Sequence, residues 1–157
     1  MASFADQLLQ QTPTLGFRFG VFFFAGGIIP NPVDFRFKRV SGISTSISTS
    51  SVEEGGQNLF SHRLPDRVQY DNLVLERGKP VVSPLAIEFN VTMSQFKFAP
   101  ANVLVSLLNE AGVPISSWLF IKAYPVSWNI SDLDAEANSI VVETMELAYE
   151  RFQSISL

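Results

Sequence analysis

Residues 103–128 read VLVSLLNEAGVPISSWLFIKAYPVSW, and their spacing decides the fold class. Val103, Val105 and Leu107 form a buried strand that stops at Asn109-Glu110-Ala111-Gly112, a turn signal. On the returning arm Trp118, Phe120, Tyr124, Val126 and Trp128 share one parity, so both arms carry the two-residue period of a β-hairpin. Pro125 cannot donate to a ladder and predicts a bulge or an edge position there.

Upstream, Phe17, Phe19, Val21 and Phe23 alternate with Arg18 and Gly20 as a first strand, closed by Gly26-Gly27 and Pro30-Asn31-Pro32. A second strand starts near Asp34, with Phe35 and Phe37 between Arg36 and Lys38 and a bulge at Arg39-Val40. From Ser41 to Ser50, Ile43, Thr45, Ile47 and Thr49 occupy one parity and Ser44, Ser46, Ser48 and Ser50 the other. That serine face is either a solvated sheet face or a neutral wall against a channel or a closely apposed subunit, and composition does not separate the two. Residues 52–66 predict a glycine-containing polar loop too long for a simple hairpin. Val68 and Tyr70, then Leu73 and Leu75, predict a third strand with a phase change at Asp71-Asn72.

Downstream, residues 83–98 fit two patterns. Leu85, Ile87, Phe89, Val91 and Met93 alternate as a strand, which parity favours, while Ser83-Pro84 and the stripe Leu85, Phe89, Met93 and Phe96 suit a helix. Residues 130–139 are a polar loop, and 140–152 form a last element that parity makes a strand. Six or more strands without a βαβ alternation predict a mainly β, small antiparallel barrel or sandwich. We expect one domain over 1–157, with residues 1–15 as an N-terminal arm.

Charge narrows the function. Eleven Lys and Arg and fifteen Asp and Glu make 17% of the chain, against about 25% for an average soluble protein, so its surface is short of charge and suits coverage by partners. Residues 1–78 are neutral overall, and the whole excess of −4 lies in 79–157. The only tight basic group, Arg36, Lys38 and Arg39, is too small for a nucleic-acid face, so no nucleic-acid specificity is expected. No apolar run approaches the ~20 residues of a membrane span, and the N-terminus lacks a signal-peptide pattern, so we expect synthesis in the cytoplasm and no direct membrane insertion.

No cysteine is present, and no Walker A, G-x-G-x-x-G, G-x-S-x-G or H-E-x-x-H motif occurs, so neither an enzyme nor a cofactor is expected. Glu143 and Glu146 fall on opposite faces of a strand, which does not suit a glycosidase dyad. Asp132, Asp134 and Glu136 lack the glycine and distal glutamate of a calcium loop, and the lone His62 reads as a solvated loop residue. Trp118, Tyr124 and Trp128 suit a core or subunit-interface strand better than a sugar-stacking platform.

Several segments in order resemble the tail tube proteins of contractile phages and phage-derived extracellular contractile injection systems: FKRVSGI (37–43), EEGGQN (53–58), LPDRVQYDNLVLERG (64–78), LLNEAGVP (107–114), Trp118, AYPVSW (123–128), DLDA (132–135) and VETMELA (142–148). The resemblance covers about residues 16–152. It implies an antiparallel barrel with one short helix, placed after Ser83-Pro84, and a strand as the final element. It further implies homo-hexameric rings stacked into a hollow tube for cargo, inside a sheath and on baseplate and spike proteins, in a particle assembled in the cytoplasm and then released. The arm at 1–15, the long Gly26–Asp34 connection and Arg39 depart from the family pattern and point to a specialised, baseplate-proximal ring. On this basis Val52 to His62 is the expected contact between rings or subunits, with Glu53, Glu54, Gly55, Gly56 and Arg63 as its residues. Ser44, Ser46, Ser48 and Ser50 are the candidate lumen face. A haemolysin-coregulated-type secretion ring protein and a monomeric carbohydrate-binding β-sandwich are the alternatives.

Overall fold

Alternation along 101–130 builds a long antiparallel hairpin, and the rest of the sheet is added to its flanks. The computed structural model describes residues 19–24, 37–56, 58–79, 84–96 and 99–156. Along them run β1 (Phe19–Phe24), β2 (Arg39–Ser41), β3 (Thr45–Val52), β4 (His62–Tyr70), β5 (Leu73–Gly78), helix α1 (Pro84–Gln95), β6 (Ala101–Leu108), β7 (Pro114–Ile130), β8 (Val142–Ala148) and β9 (Arg151–Ser156). Seven strands form one sheet in the order β1-β6-β7-β8-β5-β2, with β9 also on β7, while β3 and β4 pair only with each other.

β8 and β9 follow one another along β7, against Tyr124–Ile130 and Ser116–Ile121 respectively. Between them both lines bend. Lys122 adopts φ 53°, the Glu150 N–H donates to the Ile121 carbonyl at 3.0 Å, and Lys122 Nζ lies 3.2 Å from Glu150 Oε2. A left-handed residue cannot continue a flat ladder, so β7 turns from one half of the sheet into the other. The predicted irregularity at Pro125 is present as a register shift between Pro125 and Ser127.

The bend folds the sheet over its own inner face. Val21, Val103, Val105 and Phe120 from one half and Leu73, Leu75, Met145 and Leu147 from the other form a single buried cluster. Burying each such side chain contributes about 1.5–3 kcal/mol. The Phe23 and Phe37 ring centroids lie 6.4 Å apart, so residues at the two ends of the strand order meet and the sheet curls towards a barrel.

Within this apolar interior sits one ion pair. Arg77 on β5 faces Glu143 on β8 across the ladder, with Nε 2.9 Å from Oε2 and both side chains almost wholly buried. Trp128 Nε1 on β7 donates to the other carboxylate oxygen at 2.7 Å, and the Arg77 guanidinium lies 5.2 Å from the centre of the Phe37 ring. Glu146, three residues on, faces outward and accepts from Asn72 Nδ2 at 2.7 Å, so the two glutamates occupy opposite faces as their spacing predicts.

The structure corrects several expectations. Residues 84–95 are helical rather than extended, in keeping with the resemblance. Among the alternating hydrophobics whose side chains are described, Leu85 is in the core while Ile87, Val91 and Met93 are exposed, and Pro84 stands in the first turn, where its missing N–H costs nothing. The expected 52–66 loop is shorter, because β4 begins at His62 and carries Pro65 in a two-stranded ribbon whose edges tolerate it. Residues 68–75 are not one strand but the end of β4 and the start of β5, parted at Asp71-Asn72, where the phase change was read. The last element is two strands parted at Tyr149-Glu150; among the described residues the second strand is Arg39–Ser41, after a buried Phe37, and its expected start at 34–36 lies outside them. The N-terminal arm and the Gly26–Asp34 connection lie outside the described residues.

Replacing Arg77 with Met leaves the Glu143 carboxylate buried without its cation and lowers unfolding stability by about 3–5 kcal/mol. Trp128→Phe removes one hydrogen bond to a charged group and costs about 1.5–3 kcal/mol. Urea unfolding followed by circular dichroism measures both.

Candidate functional site

Among the described residues, β3 and β4 make a ribbon with no third strand. A two-stranded hairpin is marginal in water on its own because it has no third element against which to bury a face. Here both faces nevertheless carry apolar side chains. Ile47 stands opposite Val68 on one face, 59% and 54% exposed. On the other, Leu64 opposite Ser50 and Val52 opposite His62 are also exposed. At the tip Leu59 is 91% exposed, beside an exposed Phe60. Exposed hydrophobics occur elsewhere too, as at Ile87, Val91 and Met93 of α1, and the ribbon is one candidate contact surface.

The tip is the loop 53–61. Gly56 supplies φ 94° for its turn, and Glu53, Glu54, Gly55, Gly56, Asn58, Leu59, Phe60 and Ser61 line a concavity of about 660 Å³. His62 Nε2 lies 3.9 Å from Glu54 Oε1, with the Phe60 ring edge-on to the imidazole at 5.4 Å. The imidazole is exposed, as expected, but belongs to a strand rather than to a loop.

The structure thus brings Glu53, Glu54, Gly55 and Gly56 together at the tip. Arg63 stands apart on the arm of the ribbon, where Nη2 donates to Thr49 Oγ1 at 3.0 Å. Ser46, Ser48 and Ser50 share a face of β3, with Gln69 and Leu64 opposite the first and last. Ser48 clasps the bulge in β4, its Oγ donating to the Arg67 carbonyl and accepting from the Arg67 N–H. Ser44 precedes the strand and donates to Asp71 Oδ2. The serine row therefore lies on the projecting ribbon, not on the curled sheet.

Sequence reasoning missed the exposed apolar residues of the ribbon. Val68 reads as core by its parity with Tyr70, yet only Tyr70 reaches the interior, where its ring packs on Tyr149 and Phe152 at 5.8 and 5.5 Å. The signal available was Pro65 beside Leu64, which demotes the run from a central strand. Trp118 and Trp128 pack against the core while Tyr124 is exposed, so the three make no common platform. In the acidic loop, Asp134 Oδ1 accepts the Glu136 N–H at 2.9 Å, and among the described residues no group of three His, Cys, Asp or Glu is placed to hold a metal ion.

Where the ribbon meets the sheet, the Tyr149 hydroxyl is shielded from solvent and has no hydrogen-bond partner among the described residues. Burial first, then the Asp71 carboxylate and Tyr70, raise its pKa above the ordinary value of 10.0. As pH climbs past about 10 the unfolded chain releases a proton that the folded one retains, so this group's share of stability holds below that pH and is lost above it. Tyr149→Phe is expected to be neutral or stabilising by up to about 1 kcal/mol at pH 7. It should also flatten the alkaline fall in the urea midpoint; a parallel fall in both proteins contradicts this reading.

Comparison with known proteins agrees with the geometry. Residues 15–153 match the model of the T4-like virus tail tube protein gp19 family. A chain in the cryo-EM structure of the anti-feeding prophage baseplate, 6-fold symmetrised, is 37% identical, with a TM-score of 0.86 over 94% of this chain and 98% of that one. A chain in the anti-feeding prophage cap structure is 25% identical, with a TM-score of 0.81 over the whole of both chains. At 24% identity, a chain from the sheath-tube complex of the extracellular contractile injection system PVC shares the fold, with a TM-score of 0.78 over the whole of both. No curated protein matched. With a mostly β, antiparallel fold shared over nearly its whole length and a family match across residues 15–153, the chain belongs to the T4-like virus tail tube protein gp19 family of structural proteins.

Proposed function

We propose that this chain forms hexameric rings that stack into the hollow inner tube of a contractile injection system, and that it makes the ring next to the baseplate. The observation that carries the reading is the β3–β4 ribbon, which exposes Ile47, Val68, Leu64 and Val52 on two faces and Leu59 and Phe60 at its tip. A ribbon of that kind is completed by another copy of the chain. Stacked rings are head-to-tail assemblies, in which each subunit offers two different complementary faces, and a protrusion on one side is one half of such a contact.

Six-fold order and the place beside the baseplate are supported by the relative at 37% identity, which comes from a 6-fold symmetrised baseplate structure. A sheath around the tube is supported by the PVC sheath-tube complex that contains another neighbour. Glu53, Glu54, Gly55 and Gly56 are the contact residues at the tip, and Arg63 acts from the arm. Charge pairs between copies are weak while exposed and stronger once desolvated. Ser46, Ser48 and Ser50 on one face of β3, with Ser44 just before it, are the candidate lumen face of the tube.

Reversing Glu53 and Glu54 to Lys should leave folding within about 0.5 kcal/mol of the parent, as both side chains are exposed. Light scattering and negative-stain microscopy should then show the parent forming rings or tubes with an open centre and the variant forming none. Tubes of normal length and yield from the variant contradict the role of the tip.

A further inference from the structure

The ribbon is a continuation of the sheet. Ser41 of β2 stands opposite Val74 of β5, and four residues further on each strand Thr45 stands opposite Tyr70, so one register runs through both pairs. Between those pairs the ladder is interrupted over residues 42–44 and 71–72, and there the chain carries a set of interlocking contacts.

Gly42 has φ 86°, and a Cβ on it would lie 2.0 Å from the Asn72 carbonyl oxygen, so the two connections touch backbone to backbone in a conformation only glycine adopts freely. The Gly42 carbonyl accepts the Ser44 N–H at 2.9 Å, and the Ser44 hydroxyl reaches across to the Asp71 carboxylate. Asn72 is in turn tied to Glu146 on β8 at 2.7 Å. Tyr70, the last residue of β4, packs its ring on Tyr149 and Phe152 at the bend between β8 and β9. Each connection is held on its own side, and the two are held to each other.

We propose that Gly42, Ser44, Asp71 and Asn72 form a locked pivot that fixes the angle of the β3–β4 ribbon to the sheet before any second copy binds, which makes them positioning residues for assembly. This rests on the ribbon being the contact between copies. A protrusion held in its bound orientation has less freedom to lose on association, so a set angle raises affinity without adding a contact. Ser44 and Asp71 are exposed and carry nothing in the core, so their effect on assembly would come through orientation rather than through folding.

The chain contains no cysteine, so two can be placed for spin labels, Ser61→Cys at the tip and Asn129→Cys on β7, and the distance between them measured on the unassembled protein. We expect one narrow distance in that background, its loss to a broad distribution in Ser44→Ala and in Asp71→Ala, and slower tube formation by both at an unchanged melting temperature. A broad distribution in the parent, a narrow one kept in both variants, or broadening with undiminished tube formation each overturns the proposal. Failure of the ribbon as a contact is recognised separately, by normal tubes from the Glu53 and Glu54 reversal, whatever the spin labels report.

Discussion

The buried pair of Arg77 and Glu143 is the constraint on which the rest of the fold hangs. An ion pair in an apolar interior is weak evidence for net stability, because removing two charges from water costs about as much as their attraction returns. Its force is in register. Sliding β5 along β8 by one residue would turn Arg77 to the outer face and leave Glu143 inside without a cation, so no neighbouring register competes. Trp128 and Phe37 extend the same restraint to β7 and to the segment before β2. At the other end of β5 the contact between Asn72 and Glu146 fixes the strand to β8 again. At that anchored end β5 follows directly from β4 through Asp71 and Asn72, so the ribbon adjoins the sheet where the strand is held.

Two parts of one chain therefore follow opposite rules. In the curled sheet the β5 residues Leu73 and Leu75 and the β8 residues Met145 and Leu147 turn inward, and the outer face is left to groups such as Glu76, Thr144 and Glu146. In the ribbon, Ile47, Leu64 and Val68 stand in solvent. A chain with few charges has little means of keeping such a surface soluble in isolation. The proposed assembly supplies the reason, since a subunit stacked in a tube has such a surface covered by another copy.

Most of the sheet was legible because period-two alternation and turn chemistry reported it directly: the 101–130 hairpin, the irregularity at Pro125 and the phase change at Asp71-Asn72 all stand where the pattern put them. Helix α1 was not legible from parity, because Leu85, Ile87, Val91 and Met93 alternate without sharing a buried face; the family resemblance supplied it. Breaks within a strand path also escaped, since Lys122 has no sequence mark for its left-handed backbone. At the candidate site, composition placed the glutamates and glycines of 53–56 in a loop, as the structure has them, while their role as contacts was what the family resemblance implied. The apolar residues around them were not legible, because a hydrophobic residue in a strand reads as core until the structure shows it exposed. The pivot was invisible for a similar reason, as Ser44 and Asp71 are ordinary loop residues until the register places them face to face.

The central claim is that the β3–β4 ribbon is completed by another copy of the chain, and amide hydrogen exchange in the unassembled and assembled protein tests it most directly. The account predicts that the amides of residues 45–52 and 62–70 that are not paired between β3 and β4 exchange fast in the free subunit and become strongly protected on assembly, while those of β8 are protected in both. Unchanged exchange in the ribbon on assembly, with new protection elsewhere, would contradict it.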